Sequence, residues 1–231
     1  MHTFMVAKSR QRRKRHVHLD DIPKRLFPRN SKAGKYRDEL TRMLGVLWFV
    51  NHRVQHAAQI CAFDIKSITT KNGFRADPRE VLDMVRDFTY HYENFCSRVY
   101  SIRDKLLQFL NAVLPIGFTE TEVRYRLIIM QPVIKHSKLL VELERFGKRQ
   151  ALGGIITDRN SLTHKLYYGE RFDHYYRPIE PTPNTNERFK KWKTEILERA
   201  TKANKSFKEI IRVTNNVAGK VIDWKEQAKN R

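Results

Sequence analysis

Between Pro78 and Pro115 apolar side chains recur without interruption at steps of four and three: Val81, Val85, Phe88, Tyr92, Phe95, Val99, Ile102, Leu106, Phe109 and Val113. A repeat that long fits an α-helix, whose turn of 3.6 residues returns every third or fourth side chain to one face; a strand would alternate. Asp77-Pro78-Arg79-Glu80 reads as the start of this helix. Asp is the cap, Pro takes the first helical position, where a missing N–H costs nothing, and Glu closes the capping box. Pro115 ends it.

Two further stretches carry the same period. From Lys35 to Cys61 it runs through Leu40, Leu44, Leu47, Val50 and Val54. Over 187–226 it runs through Phe189, Trp192, Ile196, Ala200, Ala203, Phe207, Ile210, Thr214, Val217, Val221 and Trp224. The latter resembles half of a coiled coil, and it either packs in the core or docks a second copy or partner helix. Phe63 to Ala76 breaks the period and holds Asn72-Gly73, so a loop or short hairpin is expected there. Glu120 to Gln150 is expected to be mainly helical, kinked at Pro132 and ended by Gly153-Gly154. Arg177 to Asn186 is a Pro-rich connector. With only 9 Gly and 8 Pro in 231 residues, and 40% hydrophobic side chains, the expectation is an all-α chain with a substantial core. A basic tail over residues 1–34 precedes a single helical domain over residues 35–231.

Charge narrows the partners. The formal net charge is +21, and it is concentrated at the ends: residues 1–35 carry 11 basic against two acidic side chains, and residues 188–231 carry 13 against five. Phosphate-bearing partners are favoured over acid-rich proteins. Lys8, Arg10, Arg12, Arg13, Lys14 and Arg15 show no apolar period and read as a mobile tail, either displacing counterions from a polyanion or simply solvated. Lys190, Lys191 and Lys193 lie on the polar side of the last helix and carry the same two readings. The longest nearly unbroken apolar stretch, Met43 to Val50, is less than half of the roughly 20 residues a bilayer requires. The N-terminus lacks an apolar signal segment, so a soluble, unexported protein is expected. Two cysteines, Cys61 and Cys96, build no disulfide framework and suit a reducing cytoplasm.

One segment could carry chemistry: Thr157-Asp158-Arg159-Asn160-Ser161-Leu162-Thr163-His164-Lys165-Leu166-Tyr167-Tyr168-Gly169. Thr157 or Asp158 can cap a helix of about three turns that Gly169 ends. On its wheel Asn160, His164, Tyr167 and Tyr168 fall within roughly 100° of one another, with Leu162 and Leu166 opposite. A polar, titratable face near a helix N-terminus suits a phosphate. Arg159 lies about 140° from His164 on a regular helix. Convergence therefore asks for arginine's reach, an irregular first turn or a second copy across a two-fold axis.

Arg159-Asn160-Ser161-Leu162-Thr163-His164 resembles the motif of the HEPN superfamily (higher eukaryotes and prokaryotes nucleotide-binding): Arg, a polar residue often Asn, three variable residues, then His, opening the last core helix. Arg13/His18 and Arg86/His91 share the spacing, but the first pair lies in the basic tail and the second inside a long amphipathic helix. The order of two long helices and a short motif helix also resembles a HEPN core, spanning about residues 78–175, with helical elaborations on both sides.

The resemblance implies a metal-independent endoribonuclease without a cofactor, typically a homodimer with both motifs facing one cleft. Such proteins occur in toxin–antitoxin, abortive-infection and other antiviral systems, so an antitoxin or defence partner is implied beside RNA. Arg159 and His164 would be catalytic, Asn160 would orient His164 or a phosphate oxygen, and Tyr167 and Tyr168 would support them. Some HEPN families add an acid from the first core helix, for which Glu93 and Asp104 are the candidates. One branch carries Tyr two residues after the His, where this chain has Leu166. The reading from another class is a non-catalytic RNA-binding or assembly protein of HEPN shape.

Plainer readings stand beside these. Arg159 and His164 could belong to an ordinary capped helix, ion-paired to Asp158 or Glu170. His52 and His56, one helical turn apart with Cys61 nearby, have the spacing of metal ligands but lack the Glu of the zinc-protease motif, and a solvated pair is favoured. Tyr90, Tyr92, Tyr100, Tyr175 and Tyr176 could stack bases or lie half-buried with the hydroxyl wet.

Overall fold

The computed structural model describes residues 26–68, 78–147, 151–167 and 185–229. Among these, every regular element is helical: α1 (Lys32–Ile68), α2 (Pro78–Val113), α3 (Tyr125–Ile129), α4 (Pro132–Lys135), α5 (Leu139–Leu143), a 3-10 turn (Glu144–Phe146), α6 (Ala151–Tyr167) and α7 (Thr185–Lys229).

Three long helices make the frame. The start of α1 meets the end of α2, where Phe27 packs edge-on to Phe109 and Lys105 pairs with Glu39 at 3.0 Å, so the two run antiparallel. The same α1 runs antiparallel to α7: Gln55 donates to the Ala200 carbonyl at 2.8 Å, and Asn51 to Asn204. Small side chains at Ala57, Ala58, Ala200 and Ala203, all buried, leave room for that approach. The apolar row on α2 is buried from Val85 to Val113, with Phe88, Phe95, Val99, Ile102, Leu106 and Phe109 fully enclosed. Each such side chain contributes about 1.5–3 kcal/mol by leaving water. Phe189, Trp192, Ile196, Ile210, Thr214, Val217 and Val221 of α7 are buried in the same core, so that seam is core packing.

Residues 26–34 are already held in place. Phe27 is buried, and Arg37, itself only 4% exposed, donates to its carbonyl at 3.1 Å. Pro78 opens α2 as expected. The helix stops at Val113, and Gly117, at φ +80°, turns the chain where a side chain would be strained. Asn111 closes the corner by bonding both the carbonyl and the amide of Phe118, at 2.7 and 3.1 Å.

Three expectations are corrected. Helix α1 continues through Phe63 to Ile68; Asn72-Gly73 lies outside the described residues. The stretch expected as one kinked helix over Glu120 to Gln150 is, in its described part up to Gly147, made of α3, α4, α5 and a 3-10 turn joined by bends. Pro132 opens α4 at its first position and Gln131 before it is extended, as a residue preceding proline must be. Gly153-Gly154 ends nothing: α6 begins at Ala151 and passes through both. There Gly154 is a close-approach residue, since a Cβ would stand 3.2 Å from Cε of Lys202 on α7.

Candidate functional site

Because α6 starts at Ala151, Thr157 and Asp158 stand in its interior and cap nothing. The Thr157 hydroxyl donates back to the Gly153 carbonyl at 2.9 Å, a mid-helix arrangement. The motif therefore lies well inside α6, where backbone N–H groups are used by the helix, and a phosphate held by a helix N-terminus is excluded at this point.

Asp158 faces α2 and α7. Its carboxylate accepts from the Tyr92 hydroxyl at 2.5 Å and from Lys202 Nζ at 2.6 Å, and Lys202 also reaches the Gly154 carbonyl at 3.3 Å. Burial, the adjacent Cys96 and the bond to Asp158 push the Tyr92 phenol well above its ordinary value, so it stays a donor. Burial also pushes the Cys96 thiol up to about 12, so it is un-ionised at neutral pH. Glu93 is raised by burial, opposed by Arg199, and its Oε1 has no hydrogen-bond partner among the described residues. Asp104, the other candidate acid, bonds Arg103.

Arg159 lies on the next strip of α6. Its guanidinium sits 4.4 Å from the ring centre of Tyr100, and Nη1 donates to Asn160 Oδ1 at 3.2 Å. Tyr100 carries a second guanidinium, that of Arg103, at 4.2 Å. Arg103 opens in turn onto a cleft of about 810 Å³ between α6 and the corner that leads into α3, where Arg124, Arg126, Thr157 and Asn160 also line the wall. The α6 side of that cleft is the strip Gly153, Ile156, Thr157 and Asn160. Position 164 continues this strip, one turn beyond Asn160.

The sequence profile of the Cthe2314-like HEPN family matches residues 50–223, about three quarters of the chain. The chain belongs to this HEPN family. Comparison with curated proteins and with solved structures finds no match. The family match takes in the second half of α1, all of α2 to α6 and most of α7.

In this HEPN chain Arg159 and Asn160 are neighbours on the α2-facing and cleft-facing strips of α6. The backbone of His164 and Tyr167 is helical, while their side chains, Tyr168, Glu170 and residues 8–15 lie outside the described part. α6 is regular throughout, so no irregular turn brings Arg159 round to position 164. Lys190 and Lys191 are exposed and Lys193 is partly so. His52 and His56 are exposed, His52 stacks on Trp48, and among the described residues no three His, Cys, Asp or Glu side chains gather as metal ligands. Tyr92 is buried and bonded, so it is no base-stacking residue, while Tyr90 is 64% exposed. Among the described residues no helix is long and apolar enough to cross a membrane.

Sequence reasoning missed the cleft arginines, Arg103, Arg124 and Arg126. The signal was present as the interleaved Arg124-Tyr125-Arg126, but it lies in a stretch read as one helix, where alternate residues point apart.

Proposed function

We propose that this HEPN chain is a metal-independent endoribonuclease. The observation that carries the reading is the arginine-lined cleft on the Asn160 strip of α6, the strip on which position 164 falls. In the reaction a ribose 2′-OH attacks the adjacent phosphorus and the bond to the 5′-oxygen breaks. His164 takes the proton of the attacking hydroxyl or returns one to the leaving oxygen, and Arg159 stabilises the equatorial oxygens as charge builds there. Asn160 orients His164 or a phosphate oxygen. The products are a 2′,3′-cyclic phosphate and a 5′-hydroxyl. A homodimer fits the geometry of α6: position 164 and Arg159 stand about 140° apart on one helix, and a second copy supplies an arginine from across a two-fold axis. The basic segments at 8–15 and 190–193 add sequence-independent affinity for RNA. A role in toxin or antiphage defence, with an antitoxin or defence partner, is the setting we infer.

One observation favours a second reading, a non-catalytic RNA-binding or assembly protein: the Arg159 guanidinium is engaged over the Tyr100 ring and with Asn160, contacts that serve packing as well as catalysis. Wild-type and His164→Ala protein, incubated with end-labelled single-stranded RNA and tRNA in EDTA, separate the two. Cleavage by wild type alone, leaving cyclic phosphate ends, is the expected result. Salt-sensitive binding by both proteins with cleavage by neither would move the assignment to the binding protein.

A further inference from the structure

We infer that the cleft between α6 and the corner before α3 is the path of a single-stranded RNA, with Arg124 and Arg126 holding backbone phosphates next to Asn160. The inference deepens the nuclease reading by naming where the strand lies, and rests on that reading for its substrate. Several observations carry it.

Both arginines are exposed on the cleft wall, and neither forms an ion pair among the described residues. A guanidinium in that state presents a planar fork of donors suited to phosphate oxygens. The carboxylate on the same wall, Glu122, is turned to other work: it accepts from the Thr119 hydroxyl at 2.7 Å and the Thr119 amide at 2.9 Å, bonds that hold it below its ordinary value. Arg103 adds a third cation, anchored by Asp104 at 2.8 Å and laid over Tyr100. Thr157 and Asn160 add neutral hydrogen-bonding groups on the facing side. At about 810 Å³ the cleft is of the size that takes a nucleotide or so of a strand, and a continuous backbone can pass through its open mouth.

The test uses the full chain and a fluorescent 2′-O-methyl RNA oligonucleotide, which binds but lacks the attacking hydroxyl. Arg124→Ala/Arg126→Ala should weaken binding at least tenfold. It should also lower the slope of log affinity against log salt by about 1.4, the loss of two single-strand phosphate contacts. Lys205→Ala/Lys208→Ala removes two exposed lysines of α7 outside the cleft and is the charge-matched control; it should change affinity less than threefold. Arg126→Gln, which keeps the stem and a polar end but removes the charge, should still weaken binding at least threefold, so the outcome does not hang on the folding of one variant. Unchanged affinity and slope in the double variant, or an equal loss in the control, overturns the assignment. Since the oligonucleotide cannot be cleaved, cleft-dependent binding with no cleavage of ordinary RNA would sink the nuclease reading alone. Cleavage indifferent to Arg124 and Arg126 would sink the cleft alone.

Discussion

Asp158 sets the rotation of α6, because its one carboxylate is held from two sides, by Tyr92 of α2 and Lys202 of α7. With Asp158 turned to those helices, the strip of Gly153, Thr157 and Asn160 is left to the cleft. In sequence Asp158 read as a cap beside an interesting arginine, and Tyr92 as one more residue of an apolar row or a base-stacking ring. A partner 66 residues away is invisible to periodicity. Tyr92→Phe keeps the ring and removes the donor, while Lys202 still satisfies Asp158. The expected cost is about 1.5–3 kcal/mol, that of a hydrogen bond to a charged group. It should appear as a lower urea midpoint with an unchanged m value; an unchanged midpoint would show that the bond adds nothing.

At the scale of elements, the long helices were legible because their apolar rows are long: ten positions on α2 leave no competing period. The stretch from Leu114 to Phe146 was not, because its helices are four or five residues each, too short to show a period, and its bends are made by local devices. Gly117 is one of them. Its φ of +80° is the left-handed region, and nothing stands within 4 Å of where a Cβ would be. Gly117→Ala should therefore cost about 1–2 kcal/mol from backbone strain alone. A thermal melt as high as that of the wild type would show that the corner relaxes freely. The Gly153-Gly154 pair misled for the opposite reason. Glycine is a weak helix former in isolation, yet here it is paid for by the closeness of α7, with the Lys202 stem lying over Gly154.

Across the whole molecule, distant segments are tied through Glu142, buried on α5. It accepts from Lys220 Nζ at 2.8 Å and Asn216 at 3.1 Å on α7, with Arg145 Nε at 3.3 Å. Burial by itself would raise its pKa, but the bonds from Lys220 and Asn216 and the charges of Lys220 and Arg145 hold it below the ordinary 4.5. A depressed carboxylate adds stability that is present above the unfolded value and is lost as pH falls through the folded one. Stability should therefore drop as pH falls from about 5 toward 3, and Glu142→Gln should be less stable at neutral pH and show a shallower acid limb. Melting temperatures across that range check it; parallel curves for the two proteins would exclude the linkage.

The sequence alone determined the all-helical class, the two long helices α2 and α7, the excess of positive charge at both ends and the Arg159 to His164 motif of a HEPN protein. Each is a local or periodic property, and periodicity is written directly in residue order. Tertiary structure decided which way the motif helix faces, that Gly153-Gly154 is a contact rather than a break, and that Arg103, Arg124 and Arg126 line one cleft with Asn160. These depend on side chains brought together from α2, the corner before α3, α6 and α7, and the reason is packing: a helix has one rotation in a bundle, chosen by buried partners such as Tyr92 and Lys202 that lie 66 and 44 residues away from Asp158 in sequence.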